Sequence, residues 1–345
     1  MRRKRILILS LTAGVVLAAG PWPAWAKGTA GIAPGAVPAE IGRIEKAARG
    51  ALGLAAMHLE SGRRVEYRAD EFFPMASTVK VPLAARILDM ADRGQVGLAT
   101  EIPVKQMEMA PEGPLAAIRW RPGLSWSIED LLEAMITRSD NTSTDVLFRV
   151  AGGPPAVDAW LKGIGLKDIR PARYIRELLR DVLSIPEPAS PTVSLEEQFR
   201  KMPPRRAAER RARASRADPG YDADPRDQAT PNGMLALLVR IRLADGVSEA
   251  VRSALVPMME RTMTGPKRIR GRLPSGTIVG DKTGTLAGTA NDVGYITLPG
   301  GKGCIALVVF VKGSEAPPAA REAAIADTAR LVYDYFLLST PERSE

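Results

Sequence analysis

The sequence of 345 residues predicts an α+β protein, in which the terminal helices flank one antiparallel sheet and an all-helical lobe is inserted between its strands. Apolar runs bounded by glycine and proline turns lie near both ends of the chain and predict strands. The middle of the chain instead repeats apolar residues at helical spacing, with capping residues before the runs and glycines after them. One sheet built from both chain ends is the most economical architecture for this order of elements.

The first 26 residues predict a cleaved signal peptide. The basic stretch MRRKR precedes an apolar run of 15 residues, Ile6 to Gly20, and Ala24-Trp25-Ala26 is a small-x-small cleavage site. An uncleaved membrane anchor is the alternative, but a span needs roughly 20 apolar residues. We therefore expect a secreted or periplasmic bacterial protein, cleaved after Ala26, with no stable membrane anchor afterwards and a linker over residues 27–37.

A catalytic domain is expected over residues 38–338. PAEIGRIEKAAR predicts its first helix, and LGLAAMHLE and RVEYRA predict two strands joined as a hairpin. Helical patterns follow, with Ser127 and Thr230 as N-caps. GTIVGDKTG, DVGYITLP and CIALVVFVK predict three strands before the closing helix PPAAREAAIADTARLVYDYFLL. The α/β lobe would comprise residues 38–75 and 252–338, and the helical lobe residues 76–251.

Residues 185–226 interrupt the helical pattern with prolines and clustered arginines. Apart from a short possible helix at SLEEQFRKM, the segment has no sustained apolar period. We interpret it as a partly disordered surface insertion whose removal would cost little stability. A basic patch that binds an anionic surface, such as phospholipid headgroups or cell-wall polymer, is the alternative.

The net charge of +9 comes from two short segments and is not spread over the whole chain. Residues 1–26 carry four basic groups and residues 200–216 a net charge of +7, which leaves −2 for the remainder. A nucleic-acid partner is therefore not expected. The single cysteine, Cys304, excludes an intramolecular disulfide, and the single histidine, His58, excludes a multi-histidine zinc site. Both lie in strand-like segments, where a structural role is the expectation.

A serine and a lysine three positions apart, Ser77 and Lys80 in FPMASTVKVPLAARIL, begin an apolar helical pattern. This spacing places both side chains on one helix face. A serine nucleophile needs a base, and a desolvated lysine close to another cation can have its pKa lowered enough to serve. The S-x-x-K pattern alone is common, so further motifs decide its meaning.

Two further motifs follow in order. Ser139-Asp140-Asn141 lies at the junction of two predicted helices, and Lys282-Thr283-Gly284 ends a predicted strand. Each alone could be a simple cap or turn, but S-x-x-K, S-D-N and K-T-G in this order form the motif set of class A β-lactamases and penicillin-binding proteins.

Longer segments extend the resemblance over most of the catalytic domain. They are RADEFFPMASTVKVPLAARIL, IEDLLEAMITRSDNTSTDVLFRVAGGP, DPRDQATPNGMLALL and IVGDKTGTLAGTANDVGYI. On these segments the chain resembles the class A β-lactamase-related secreted serine hydrolases. The resemblance implies a β-lactamase-like fold with the active site in the cleft between the sheet and the helical lobe. It implies no metal and no organic cofactor.

The resemblance also implies catalytic roles. Ser77 would attack the carbonyl and be acylated, Lys80 would accept or relay the proton, and Ser139 would pass a proton to the leaving nitrogen. Asn141 would hydrogen-bond both Lys80 and the amide side chain of the substrate. Lys282 would set the electrostatics of the cleft.

The remaining implied roles concern substrate binding. Thr283 would join Lys282 in meeting the substrate carboxylate, and Gly284 belongs to the same substrate-binding stretch. The backbone N–H groups of Ser77 and Thr285 would form the oxyanion hole.

The sequence departs from the class A pattern where a loop glutamate normally activates the deacylating water. Aligning Arg173-Tyr174 with the family's Arg-Trp or Arg-Tyr pair places Ile175 at the glutamate position and Leu179 at a following asparagine. Glu177 is the nearest candidate for a replacement base. Arg173 is expected to pair with Asp227 at the base of this loop.

A second departure concerns the arginine that many members carry shortly after K-T-G. Asn291 stands near that position, and Arg268 is the candidate substitute for substrate binding.

Three functions remain open at this point. The first is a monomeric hydrolase that opens a β-lactam or related amide through acyl-Ser77, with slow deacylation. The second is a D-alanyl-D-alanine-type peptidase or amidase acting on cell-wall peptides. The third is a penicillin-binding or sensing protein that remains acylated. The intact motif set argues against a protein that keeps the fold without any catalytic activity, and the missing glutamate argues against an efficient β-lactamase.

Overall fold

The computed structural model describes residues 36–113, 118–188, 190 and 192–340. The predicted signal peptide, residues 1–26, and most of the predicted linker lie outside these ranges. No helix within the described ranges is long and apolar enough to cross a membrane.

The central sheet has five antiparallel strands, contributed by both ends of the chain. The described residues contain ten strands, of which five form this sheet. In chain order the ten are β1 Ala51–His58, β2 Arg64–Tyr67, β3 Phe73–Pro74, β4 Glu101–Pro103, β5 Ser125–Ser127, β6 Ile169–Arg170, β7 Gln228–Ala229, β8 Val279–Leu286, β9 Thr289–Thr297 and β10 Cys304–Lys312. The large sheet has the order β2-β1-β10-β9-β8, so β8 is an edge strand. The short strands form two small sheets, β3-β7-β6 and β4-β5. The predicted α+β architecture is confirmed.

The helices cover both faces of the large sheet and build the inserted lobe. They are α1 Ala36–Ala48, α2 Lys80–Asp92, α3 Ile128–Thr137, α4 Asn141–Val150, α5 Pro154–Gly163, α6 Ile175–Leu183, α7 Leu195–Arg200, α8 Pro204–Ala214, α9 Pro219–Ala223, α10 Pro231–Leu243, α11 Glu249–Glu260 and α12 Pro318–Ser339. Single turns of 3₁₀ helix occupy Ala76–Val79, Gln106–Glu108 and Ile269–Arg272. The helix α11 continues past residue 251, where the sequence analysis placed the end of the helical lobe.

Successive side chains of β10 point alternately into two hydrophobic cores, one on each face of the large sheet. Leu307, Val309 and Val311 face the layer formed by α1 and α12. Val308 and Phe310, on the opposite face, join the core of the helical lobe. Successive side chains of a strand point to opposite faces, so a strand buried on both sides is apolar throughout.

The predicted N-caps are present. The Ser127 Oγ accepts a hydrogen bond from Asp130 N at 3.0 Å, and the Thr230 Oγ1 accepts one from Gly233 N at 2.9 Å. Each bond satisfies a backbone donor that the first turn of a helix leaves without an intrahelical partner.

The interpretation of residues 185–226 as a partly disordered insertion is wrong for the described part of that segment. It contains the helices α7, α8 and α9. Leu195, Phe199 and Tyr221 are 0 %, 6 % and 7 % exposed. Leu195 and Phe199 pack with Leu183 and Ile185 at the end of α6. Local periodicity is weak because α7 buries two side chains, α9 buries one and α8 buries none.

The insertion touches both walls of the cleft between the lobes. On the helical side, Glu196 N donates to Met109 O at 3.3 Å, and on the sheet side Ala287 N, in the β8–β9 turn, donates to Ala214 O at 2.7 Å. The guanidinium group of Arg210 additionally donates to the carbonyl oxygens of Leu183 and Ser184. The segment is therefore part of the structure that frames the cleft.

Leu195→Ala should lower the free energy of unfolding by about 2–4 kcal/mol, because a fully buried leucine would be replaced by a cavity. Urea denaturation measures this change. Arg206→Ala, on the exposed surface of α8, is the matched control and should change stability by less than about 0.5 kcal/mol. An unaltered midpoint for Leu195→Ala would restore the interpretation of a solvated tether.

Candidate active site

Lys80 is fully buried at the start of α2, and its ammonium group has three oxygen partners. Its Nζ donates to Ser139 O at 2.6 Å, to Ser139 Oγ at 3.1 Å and to Asn141 Oδ1 at 2.8 Å. A buried cation is tolerated only where acceptors replace its hydration shell. The structure thus brings Lys80, Ser139 and Asn141 together, as the sequence analysis proposed.

A second buried ammonium group reaches the same hydroxyl from the sheet. Lys282 Nζ, on the edge strand β8, donates to Ser139 Oγ at 2.9 Å and to Thr283 O at 2.8 Å. Ser139 adopts a left-handed backbone with φ of 60°, which is uncommon for a residue other than glycine. The hydroxyl of Ser139 consequently lies between two lysines that come from opposite walls of the cleft.

Burial lowers the pKa of Lys80 to about 8, although the negative charge of Glu112 opposes this shift. Burial, followed by repulsion from Lys80, lowers the pKa of Lys282 well below its ordinary value. Desolvation and a neighbouring like charge both disfavour a protonated amine. A substantial fraction of Lys80 is therefore neutral near pH 8, as a proton acceptor requires.

Ser77 is half-buried on the 3₁₀ turn one turn ahead of Lys80. Ala76, immediately before it, has a φ of 46°, a left-handed conformation that costs about 1–3 kcal/mol for a residue with a Cβ. The side chain of Asn291 supports this turn, because its Nδ2 donates to Pro74 O at 2.7 Å and to Met75 O at 3.0 Å. Asn291 therefore positions the backbone before Ser77.

The edge strand β8 lies directly against the Ser77 turn. A Cβ atom on Gly284 would lie 2.6 Å from Met75 O and 3.2 Å from Ser77 N, so only glycine permits this approach. Thr283 is buried and shares a hydrogen bond of 2.7 Å with Thr264, whereas Thr285 is exposed.

Arg268 is buried behind β8 rather than free in the cleft. Its Nη1 donates to Gly284 O at 3.0 Å and to Asn291 O at 2.9 Å, and its Nη2 donates to Thr285 Oγ1 at 2.6 Å. Its Nε also lies 3.4 Å from the carboxylate of Glu322, so Arg268 is paired with an acidic group while it fixes the orientation of the Thr285 hydroxyl.

The loop before α6 is held at its base as expected. Arg173 Nε pairs with Asp227 Oδ2 at 2.6 Å. Ile175 is 4 % exposed, and its N–H donates to the buried carboxylate of Asp145 at 2.6 Å. Leu179 packs, partly buried, against the core. The two positions that would hold polar groups in the class A pattern therefore carry apolar side chains here.

The carboxylate of Glu177 caps α6 and does not contact the lysine cluster. Its Oε2 accepts a hydrogen bond from Tyr174 N at 3.0 Å, and its side chain is 41 % exposed. Within the described residues no hydrogen bond joins it to Ser77 or Lys80. This placement does not favour Glu177 as a base.

Glu112 is a residue of the site that the sequence analysis missed. Its carboxylate accepts hydrogen bonds from Asn141 N at 2.7 Å and from Thr142 N at 2.8 Å, at the start of α4. The preceding carbonyl, Pro111 O, accepts from Asn141 Nδ2 at 2.8 Å, which turns Oδ1 toward Lys80. Burial raises the pKa of Glu112 to about 7. A lone glutamate in a loop has no periodicity or motif that would have identified it.

His58 and Cys304 have structural surroundings. The ring nitrogens of His58 contact Ser61 Oγ at 2.8 Å and Lys302 O at 2.6 Å. Cys304 is buried on β10, and burial raises the pKa of its thiol to about 11. In the part of the chain that the structure describes, no cluster of three or more His, Cys, Asp or Glu side chains could hold a metal.

A two-lobed α+β fold whose cleft holds a buried cluster of Lys80, Ser139 and Lys282 next to the Ser77 turn is that of a serine hydrolase. A family model described as "Beta-lactamase enzyme family" matches residues 36–336. The chain belongs to this family and is related to its class A members.

Individual relatives agree with this assignment. Beta-lactamase L2 of Stenotrophomonas maltophilia is 33 % identical over 258 residues, which cover 74 % of this chain and 72 % of the relative. Beta-lactamase CTX-M-8 of Citrobacter amalonaticus is 28 % identical, with 96 % and 98 % coverage. The solved structure of an ancestral (GNCA) class A β-lactamase has a TM-score of 0.71 and 34 % identity, covering 87 % of this chain and 99 % of that one.

Glu112→Gln should shift the pH midpoint of Ser77 acylation to lower pH. The ionised carboxylate favours charged Lys80 and so raises its pKa; without that charge, Lys80 loses its proton at lower pH. The difference from wild type should appear only above about pH 7, where Glu112 is ionised. Stopped-flow acylation between pH 5 and 10 measures it, with Glu112→Asp as the charge-retaining control. An unchanged profile for Glu112→Gln would contradict this role.

Proposed function

We propose that the protein hydrolyses a β-lactam, or a related amide, through an acyl-enzyme on Ser77. The observation that carries the proposal is the Ser139 hydroxyl held between the Lys80 and Lys282 ammonium groups. This arrangement provides a route for a proton from the attacking hydroxyl to the leaving nitrogen, which is the central requirement of amide acyl transfer.

In the acylation step neutral Lys80 accepts the proton of Ser77, and Ser77 Oγ bonds to the carbonyl carbon. The Ser139 oxygen accepts hydrogen bonds from both lysines, so its own hydrogen is free to point into the cleft. As the carbon–nitrogen bond breaks, Ser139 donates that proton to nitrogen and is reprotonated by Lys80. Protons and bonds balance without a cofactor.

The developing oxyanion would be stabilised by the backbone N–H groups of Ser77 and Thr285. The close contact between Gly284 and the Ser77 turn supports this, because it brings the edge of β8 beside the serine backbone. Preorganised donors of this kind are worth roughly 10²- to 10³-fold in rate.

A substrate carboxylate would bind beside β8. The positive charges of Lys282 and Arg268 converge on this strand, and the hydroxyl groups of Thr283 and Thr285 lie on it. An anionic group there gains charge-assisted hydrogen bonds. This preference suits penicillins and cephalosporins, and also peptides that end in a free carboxylate.

Deacylation should be slow, because Ile175 and Leu179 offer no polar atom to hold and activate water. This same observation favours, as a second candidate, a penicillin-binding or sensing protein that remains acylated. Measured turnover separates the two, and cleavage of a D-alanyl-D-alanine peptide would identify a peptidase.

We also propose export to the periplasm or the exterior as a monomer. The basic, apolar and small-residue pattern of residues 1–26 supports the export of the chain.

Ser77→Ala should abolish covalent labelling by a fluorescent penicillin, because no acyl bond can form at residue 77. Intact-mass spectrometry measures the adduct. The melting temperature should stay close to that of the wild type, which shows that the fold is retained. Labelling that persists in the alanine variant would overturn the assignment of the nucleophile.

Ile175→Glu should shorten the lifetime of the acyl-enzyme by tenfold or more, since general-base help is typically worth about 10²- to 10⁴-fold. The decay of the adduct after excess penicillin is removed provides the measurement. Glu177→Gln is the control and should leave the decay within about twofold, because Glu177 only caps α6. Fast turnover in the wild type would instead mean that another group activates water.

A further inference from the structure

A cavity of about 1060 Å³ lies between residues 106–112 and 118–122 on one side and the insertion residues 192–200, which include α7, on the other. Its apolar lining includes Met109, Trp120 and Val193. Trp120 is fixed in place because its Nε1 donates to Asp140 Oδ2 at 3.0 Å. The volume slightly exceeds the range of about 300–1,000 Å³ that is typical of sites for drug-sized molecules.

The cavity adjoins the catalytic cluster. Glu112 and Thr142 line it, and both are bonded at the start of α4 beside Asn141. Asn141 in turn contacts Lys80. A substrate whose carboxylate lies against β8 would extend its other end past Asn141 toward this cavity, on the helical wall of the cleft.

The charged groups of the lining are unevenly paired. Glu112 is occupied by the backbone of α4, and Glu197 pairs with Lys201 at 2.6 Å. In contrast, Glu196 and the guanidinium groups of Arg119, Arg121 and Arg200 form no direct ion pair with any residue that the structure describes. Burial raises the pKa of Glu196, and the nearby positive charges of Arg200 and Arg211 oppose this shift. One carboxylate and three guanidinium groups, none of them in a direct ion pair with a described residue, therefore face a single cavity.

We propose that this cavity binds the acyl side chain of the substrate and selects chains that end in an amino-acid group, with both a carboxylate and an ammonium. The inference rests on the proposed function, because it places the substrate at Ser77. The arginines bind the terminal carboxylate, Glu196 binds the ammonium, and the apolar lining accommodates the methylene chain. The insertion supplies Glu196 and Arg200, so it determines specificity.

A matched series of three penicillins tests the proposal. Their acyl chains have the same length and are hexanoyl, adipoyl and 2-aminoadipoyl with a free terminal amino acid; the second adds a carboxylate and the third also adds an ammonium. The second-order rate constant of Ser77 acylation is measured for each. In the wild type the order should be aminoadipoyl, then adipoyl, then hexanoyl.

Arg200→Ala should lower the adipoyl-to-hexanoyl ratio of rate constants about threefold, the scale of a partly exposed ion pair. Glu196→Gln should lower the aminoadipoyl-to-adipoyl ratio by a similar factor. It should not lower the adipoyl-to-hexanoyl ratio, because the removed charge repels the adipoyl carboxylate. Arg205→Ala, on α8 and 92 % exposed, is the matched control and should alter neither ratio. In the Arg200→Ala and Glu196→Gln variants, the change should appear in the saturation constant for acylation of Ser77 rather than in the limiting rate constant.

The proposal is overturned if the three penicillins react alike in the wild type, or if Arg200→Ala changes all three constants equally. Labelling by the hexanoyl penicillin reports separately on the proposed function. If that compound fails to acylate Ser77, the function is wrong; if it acylates normally without discrimination, only the cavity assignment is wrong.

Discussion

The contact of two buried ammonium groups with the Ser139 hydroxyl is the constraint on which the other features of the site depend. Lys80 comes from the helical lobe and Lys282 from the edge of the sheet, so one side chain from each lobe contacts the same oxygen atom. Each buried cation requires acceptors, and Asn141 and the Ser139 carbonyl supply them for Lys80. Burial lowers the pKa of both lysines, and repulsion from Lys80 lowers the pKa of Lys282 further. The arrangement that organises the cleft thus also permits proton transfer without histidine.

Much of this arrangement could be predicted from the sequence, because the relevant signals are local. Ser127 and Thr230 cap helices where expected, and the strands at both chain ends form one sheet. The three motifs indicated which side chains would meet around Lys80. The Arg173–Asp227 pair was likewise expected from the resemblance to class A segments.

What the sequence did not reveal depends on contacts between distant residues. Leu195 and Phe199 belong to a helix of six residues, too short to display an apolar period, and they are buried only because α6 lies beside them. Glu112 carries no motif, and its importance arises when the fold places it at the start of α4. The sequence offers Arg268 as a candidate for substrate binding, and it is the fold that buries its guanidinium group against β8 and directs it to Thr285 Oγ1. In each case tertiary packing, rather than local pattern, determines the role.

The anchoring of the insertion on both walls has a mechanical consequence. Hydrogen bonds join the insertion to Met109 on one side and to Ala287 on the other, so this segment connects the two walls of the cleft. The two lobes can separate, and the cleft can widen, only after the contacts at one end of the insertion are broken. Under a pulling force the two lobes should therefore yield together in a single rupture event, and the width of the entrance should vary little with temperature until that rupture occurs.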